Sequence, residues 1–292
     1  MLSLRNRDFL TLTDLSKSEL EELLELAMQV KKVKYSEELK GKTLAMLFAK
    51  TSTRTRVSFE VAMTQLGGHA INLNWNDTNF VKGDIKDEAK NIGLYCDALM
   101  ARVFTHKQIE DLADGCEKPT INGMDDTHHP CQALADLLTI VENKGRFTGL
   151  KIGWIGDGTN VCNSLLQGAQ MFGMEAVVAT PEGYEPRIRG NSILVNDPVE
   201  AAKDADVLVT DTWVSLGQEG EKEKRLKIFR PFQLNRRLLD LAKKDCIVLH
   251  CLPAQRGYEI TSDVMDSPNS RIWQEAENRL HTEKALLLAL LH

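Results

Sequence analysis

The stretch Thr43-Leu44-Ala45-Met46-Leu47-Phe48-Ala49-Lys50-Thr51-Ser52-Thr53 ends one periodicity and starts another. Thr43–Phe48 is an apolar run of strand length. The hydroxyl-rich Thr51-Ser52-Thr53 suits the start of a helix with apolar positions at Val57, Phe59, Met63 and Leu66. Gly67-Gly68 stops that helix, and Ala70–Leu73 is the next strand. Strand, helix and strand in a span of about 30 residues make the βαβ unit of a parallel sheet.

The same grammar extends in both directions. Upstream, Ser16-x-x-Glu19 has capping-box form ahead of Leu20, Leu23, Leu24, Ala27 and Val30. Downstream, Asn74–Asp87 is polar and aperiodic, which reads as a long loop. Strands are expected at Ala98–Phe104 and Thr120–Asn122, and a helix over Gln132–Lys144 through Leu134, Leu137, Leu138 and Val141. A second alternating series follows: strand Leu150–Ile155, helix Asn160–Phe172 closed by Gly173, and strands Ala176–Ala179, Ile193–Val195, Val207–Thr210 and Ile247–Leu249. Leu280–Leu291 is an amphipathic terminal helix. The connection from Thr180 to Ile193 is too short for a full crossover helix, so a loop is expected there if the chain is continuous. The class is α/β.

Composition removes several kinds of function. With 292 residues, 36 Lys+Arg against 42 Asp+Glu, a net charge of −6 and 42% hydrophobic residues, the chain is an ordinary globular protein with substantial cores. Acidic balance makes it a poor general nucleic-acid binder, and an anionic ligand would need local arginines. The longest aliphatic run, Ala285–Leu291, falls far short of the roughly 20 residues that span a bilayer, so no membrane role is expected. Charges in Met1–Asp8 interrupt any signal-peptide core, and the six cysteines form no Cys-x-x-Cys pair. Reduced thiols and a cytoplasmic location are expected. His128-His129-Cys131 resembles a fragment of a metal site without a matching pair elsewhere, and no metal is assigned.

The chemistry concentrates at strand ends. Lys50-Thr51-Ser52-Thr53-Arg54-Thr55-Arg56 lies where a strand gives way to a helix, a junction whose N–H groups, hydroxyls and arginines suit a phosphate; plain capping by Ser52 or Thr53 is the simpler alternative. The Walker pattern is absent. Arg102, His129 and Gln132 are three further donors at strand or helix ends, able together to polarise a carbonyl oxygen. Gly156-Asp157-Gly158 invites a nicotinamide-dinucleotide reading. Val161 stands at the third glycine and Thr180-Pro181 where an acid should end the next strand, so the fit is poor. Asp211–Gly217 and His250-Cys251-Leu252-Pro253 each follow a buried strand.

Ser52-Thr53-Arg54-Thr55-Arg56-Val57-Ser58-Phe59-Glu60, His129-Pro130-Cys131-Gln132-Ala133-Leu134-Ala135-Asp136 and His250-Cys251-Leu252-Pro253 occur in the order seen in ornithine carbamoyltransferases. The resemblance extends to Asp157-Gly158-x-Asn160, Asp211-x-x-x-Ser215-Leu216-Gly217 and Glu277-Asn278-Arg279-Leu280-His281, and so covers nearly the whole chain. Aspartate-specific relatives typically read His-Pro-Thr-Gln and His-Pro-Leu-Pro, which this chain does not.

The resemblance implies two doubly wound parallel-sheet domains with the active site in the cleft between them. Residues 1–133 with a C-terminal helix at about 277–292 would bind carbamoyl phosphate, and residues 134–276 would bind L-ornithine. It further implies citrulline and phosphate as products, no metal or other cofactor, and a homotrimer or multiple of trimers. By the same carry-over Ser52, Thr53, Arg54 and Thr55 hold the phosphate, while Arg102, His129 and Gln132 contact the carbamoyl group. Asn160, Asp211, Ser215 and Leu216 bind the amino-acid end of ornithine, and Cys251, Leu252 and Arg279 complete the reacting centre. Arg102, His129, Cys251 and Asp211 are the catalytic set, with Cys251 orienting the amine and not attacking it. Asn79 takes the place where members reach into a neighbour's site with Gln or His; Gln255 replaces a usual His, Leu216 a usual Met, and Pro186–Asn196 lacks a helix that members have. A carbamoyltransferase for another amine such as putrescine, and a silent binding paralogue, are the alternatives.

Overall fold

The computed structural model describes residues 2–214 and 219–292. The chain divides into two compact units, residues 1–138 with 277–292, and residues 139–276.

In the first unit Ser16 caps α1 (Lys17–Val30) through a complete capping box with Glu19. Then come β1 (Thr43–Phe48), α2 (Arg54–Gln65), β2 (His69–Asn74), α3 (Ile85–Gly93), β3 (Ala98–Arg102), α4 (His106–Cys116), β4 (Thr120–Met124) and α5 (Pro130–Lys144), which continues past the unit's boundary. The four strands lie in the order β2-β1-β3-β4, all parallel. Because β2 and β3 flank β1 on opposite sides, the chain reverses direction across the sheet at the β1/β3 boundary. The carboxyl ends of strands at such a switch point are where open α/β sheets bind ligands. β1 and β3 are buried nearly throughout, and Ala45, Leu47, Leu99 and Ala101 pack with Ile109 and Leu112 of α4. A bulge at Ala101/Arg102, opposite Gly123, shifts the β3/β4 register beside Arg102.

The segment read as a loop over Asn74–Asp87 is shorter than that. It forms two 3-10 turns, Trp75–Asp77 and Asn79–Val81, and then enters α3 at Ile85, where Asp84 caps the helix by accepting from the Lys86 N–H at 2.8 Å. The turn Trp75 and Phe80 share, with ring centroids 4.9 Å apart, gives a polar stretch its structure.

The second unit runs β5 (Lys151–Ile155), α6 (Asn160–Phe172), β6 (Glu175–Ala179), β7 (Ile193–Val195), α7 (Pro198–Ala202), β8 (Val207–Thr210), α8 (Lys222–Phe229), α9 (Arg236–Leu239), β9 (Ile247–His250) and α10 (Ser262–Met265). Its sheet order is β7-β6-β5-β8-β9, again all parallel, with the switch point between β5 and β8. The β6–β7 crossover is a loop, as its length requires. Ile155, Val177, Leu208 and Val248 anchor the core of this unit.

The last helix, α11 (Ile272–Leu291), starts eight residues before the expected Leu280 and returns the chain to the first unit at Glu277. Its early turns carry Glu275, Asn278, Arg279, His281, Thr282, Glu283 and Lys284, all buried, which disguises the helix in a pattern of apolar residues. Lys284 donates to the carbonyls of Val33 at 2.9 Å and Lys34 at 3.3 Å, beyond the end of α1, and to Gln65 Oε1 at 3.2 Å. Those bonds hold the helix in place from inside, and burial lowers the Lys284 pKa.

Asp125, just after β4, is a second hub. One carboxylate oxygen accepts the N–H groups of Thr127 and His128 at 2.6 Å each; the other accepts Asn122 Nδ2 at 2.8 Å and bonds His106 Nδ1 at 2.6 Å. Burial raises its pKa, but the His128 and His106 side chains and these backbone donors outweigh that and bring it from 3.8 to about 2.

Two outcomes follow for stability. Gly93 of α3 faces the Cys116 carbonyl and Gly115 of α4 faces the Lys86 carbonyl so closely that no methyl fits at either. Gly115→Ala should therefore cost about 1 to 3 kcal/mol, whereas Gly220→Ala, in open space, should cost little; equal thermal midpoints for the two would contradict the close crossing. For Asp125 the folded-state pKa lies below the unfolded value, so its contribution is present above pH 3.8 and is lost as pH falls through about 2. Asp125→Asn should cost about 2 kcal/mol near neutrality, a deficit that shrinks in acid; a deficit independent of pH in thermal melts would show that the carboxylate's charge is not its source.

Candidate active site

At the first switch point β1 and β3 end side by side, with the Ala49 N–H on the Arg102 carbonyl at 2.8 Å. Thr53 is the N-cap residue of α2, yet its side chain makes no capping bond. Ser52 Oγ instead accepts from Arg102 Nη1 at 3.4 Å. Plain capping therefore does not account for the hydroxyl run, and α2 presents its first-turn N–H groups beside two hydroxyls and an arginine.

Arg279 joins this cluster from α11 in the same unit, only 3% exposed. Its guanidinium donates to Thr55 Oγ1 at 3.2 Å, to Gln132 Oε1 at 3.0 Å and to Glu283 Oε1 at 2.8 and 3.2 Å. Gln132 in turn donates to Asp136 Oδ1 at 2.9 Å. Glu283 is the counter-charge: burial pushes its carboxyl up to about 7, against the pull of Arg279. His129, buried at the start of α5, has its pKa lowered well below the ordinary value by burial and then by Arg279, Arg102 and Arg54. It is a neutral imidazole among three cations. Lys50 lies over the Phe104 ring at 5.1 Å, its pKa lowered by burial and by Arg102.

Thus hydrogen bonds join Ser52 to Arg102, and Thr55 and Gln132 to Arg279, while the charges of Arg279, Arg102 and Arg54 all act on His129. Asn79 is not among them; it is exposed in its 3-10 turn. Glu283 and Lys50 were not foreseen, although Glu283 stands one helical turn after Arg279, the spacing of an ion pair.

The second unit has its own cluster at its own switch point. Thr210 Oγ1 ties β8 to the Ile155 carbonyl at 2.7 Å, and Asp211 follows. Asp211, 5% exposed, accepts from Thr159 Oγ1 at 2.9 Å and from Cys251 Sγ at 3.0 Å. Asn160 opens α6 beside them in sequence. Ser215 and Leu216 lie outside the described residues. His250 is fully enclosed: its Nδ1 accepts the Leu252 N–H at 2.9 Å, which leaves Nε2–H to donate to Glu259 Oε1 at 3.0 Å. This fixes the turn in which Leu252 takes φ 60° and the Leu252–Pro253 bond is cis.

The glycines of Gly156-Asp157-Gly158 are spent on packing. A side chain at Gly158 would strike the backbone of Glu185 and Pro186, and the Gly158 N–H bonds the Tyr184 carbonyl at 2.9 Å. Chain from the β6–β7 crossover thus fills the space that a dinucleotide's pyrophosphate would take. Asp157 pairs with Arg225, whose Nε also donates to the Trp213 carbonyl at 2.5 Å and whose guanidinium lies 5.0 Å from the Tyr184 and Phe229 rings. Burial raises the Asp157 pKa to about 6, opposed by Arg225 and reinforced by Asp211. Arg225 carried no signal in the sequence, since its partner lies 68 residues away.

Known proteins match this architecture along its length. The profile of the aspartate/ornithine carbamoyltransferase carbamoyl-P binding domain matches residues 7–142, and that of the Asp/Orn binding domain residues 148–290. Ornithine carbamoyltransferase of Methanosarcina mazei is 53% identical over 98% of this chain and 99% of its own, and that of Pyrococcus horikoshii 52% identical over 100% and 98%. Among solved structures, ornithine carbamoyltransferase from Pyrococcus furiosus superposes with a TM-score of 0.95 at 50% identity, covering 100% of this chain and 99% of that one. The Thermus thermophilus structure gives 0.92 at 45%, covering 99% and 100%. Sequence motifs, two parallel sheets and full-length similarity agree, and the chain belongs to the ornithine carbamoyltransferase family.

Proposed function

We propose that the chain transfers the carbamoyl group of carbamoyl phosphate to the δ-amine of L-ornithine, giving L-citrulline and phosphate. The observation that carries this reading is the donor cluster of buried Arg279, Thr55 and Gln132 with half-buried Arg102 near the β1/β3 switch point, suited to an anion with a carbonyl attached. In this reading Ser52, Thr53, Arg54 and Thr55 hold the phosphate. Arg102, His129 and Gln132 address the carbamoyl oxygen, and Arg279 favours phosphate as leaving group.

Attack by the neutral amine on the carbamoyl carbon builds negative charge on its oxygen. His129 serves there as a neutral N–H donor, because burial and the three arginines keep it unprotonated. Asn160, Asp211, Ser215 and the Leu216 backbone take the α-amino and α-carboxylate groups of ornithine, and Cys251, bonded to Asp211 at 3.0 Å, orients the amine beside Leu252. The leaving phosphate accepts the amine's proton, so no covalent enzyme intermediate forms. The reading also takes the protein as a cytoplasmic homotrimer. Six free cysteines suit a reducing compartment, and Asn79, exposed in its turn, is free of the unit's core and available to a neighbouring subunit.

Citrulline formation from the two substrates tests the function directly. Ornithine should exceed putrescine in kcat/KM by at least about tenfold, because a diamine leaves the α-carboxylate's donors unsatisfied, and aspartate should not react. Equal or better turnover of putrescine would reassign the amine, and no carbamoyl transfer to any amine would reject the reaction. His129→Ala should lower kcat by about 100-fold or more without removing a limb from the pH–rate profile, since a neutral donor does not titrate in the working range. Loss of such a limb would make His129 a proton-transfer group instead.

A further inference from the structure

Among the described residues, two places bring three metal-capable side chains within 4.8 Å of one another: Asp211, His250 and Cys251 in the second unit, and His106, Asp125 and His128 in the first. They differ in what their imidazoles have left to offer. Both nitrogens of His250 are committed, to the Leu252 N–H and to Glu259, and Asp211 and Cys251 belong to the ornithine half-site already described. In the other cluster His128 Nδ1 is buried, in a residue only 7% exposed, makes no hydrogen bond of ordinary length and lies 3.8 Å from Asp125 Oδ2. His106 Nδ1 stands 2.6 Å from the same oxygen.

We propose that His106, Asp125 and His128 form a binding site for a divalent transition ion of the zinc class, separate from the substrate residues. The donor set is two imidazoles and one carboxylate, with a fourth position for water. Metal–ligand bonds of about 2.0 to 2.2 Å in a tetrahedron set ligand atoms roughly 3.4 Å apart. The 2.6 Å contact therefore opens and the 3.8 Å contact closes, each by less than about 1 Å, which side-chain rotation supplies.

The surroundings are built as an outer shell. Asn122 Nδ2 and the Thr127 and His128 N–H groups hold the Asp125 carboxylate in a fixed orientation with Oδ2 turned to the imidazoles. The His106 backbone is tied at α4's start by Asp126 Oδ1, 3.0 Å from its N–H. On ligation the His106 proton moves from Nδ1 to Nε2 through solvent, which frees the Nδ1 lone pair for the metal and leaves Nε2–H 3.8 Å from Glu110 Oε1. The two rings lie with centroids 4.5 Å apart at 53°, and the ligand atoms of His106, Asp125 and His128 all lie within 4.8 Å of one another. The His106 side chain is 28% exposed, which leaves an entry path from solvent. An ion here would clamp the loop 125–128 to α4 next to His129.

The test uses the whole chain after chelator treatment, titrated with Co2+ alone. Tetrahedral visible bands without a thiolate-to-metal band in the near ultraviolet are expected, displaced by Zn2+. His106→Gln and His128→Asn should each weaken Co2+ binding by about tenfold or more, and Cys251→Ser should leave it unchanged. His106→Gln, at a partly exposed helix end, keeps the test valid if His128→Asn does not fold. In the unaltered chain Zn2+ should raise the thermal midpoint, and the rise should vanish in His106→Gln. Co2+ bands that survive His106→Gln, or that carry thiolate charge transfer and disappear in Cys251→Ser, would overturn the proposal, as would no band and no thermal shift at all.

Discussion

A guanidinium taken out of water must be repaid in hydrogen bonds and counter-charge, and in this protein Arg279 is the case on which the first unit's chemistry depends. Its N–H groups reach α2 through Thr55, α5 through Gln132 and its own helix through Glu283. Three helices are thereby held in register by one side chain. None of these bonds forms unless α11 runs inside the unit, which explains why that helix carries buried charge along turns where an ordinary terminal helix would be apolar. Lys284, spent on the carbonyls beyond α1, fixes the helix's depth and so the position of Arg279 one turn earlier. Burial pushes the Glu283 carboxyl up to about 7 against the pull of Arg279, and two hydrogen bonds tie the two side chains together inside the unit.

The two sheets deliver these side chains by topology alone. In each unit the strand order places the first strand between neighbours reached in opposite directions, and the loops after the strands at the switch point have no crossover helix over them. Arg102 and Ser52 meet because β3 and β1 are neighbours, although 50 residues separate them in the chain. Thr159 and Asp211 meet because β5 and β8 are neighbours. Parallel pairing needs long crossovers, so every such meeting is remote in sequence and fixed in space.

This is also why the strands were legible and many partners were not. Buried parallel strands are continuous apolar runs, and β1 and β8 match their expected bounds to the residue. The motif residues stand at the ends of those runs, so strand ends alone pointed to Arg102, Asp211 and Cys251. Arg225 and Glu259 gave no such sign: an ion pair made to a distant loop leaves no periodicity, and α8 is polar on every turn. Asn74–Asp87 misled for a different reason, since its order comes from a Trp75–Phe80 contact and an Asp84 cap, which no polarity pattern reports. Gly158, a poor fit to a nucleotide signal from the start, lacks a side chain for a packing reason, because the backbone of Glu185 and Pro186 fills that space.

Charge is distributed against the protein's own average. A chain of net charge −6 repels anions at long range, and at physiological salt that field decays within about 8 Å, so recognition rests on what lies in contact. The first unit buries His129 and gathers Arg279, Arg102 and Arg54 around it, and burial first and these charges second hold its pKa well below the ordinary value. The second unit does the reverse, setting Asp211 near Asp157 so that Asp211 adds to the burial that raises the Asp157 pKa and Arg225 relieves only part of it. In the proposed reaction an acyl phosphate and an ammonium-bearing amino acid call for these opposite fields. Neither field can be produced by composition; each gathers like charges in one place, a repulsion that a rigid parallel sheet and its packed helices hold in check.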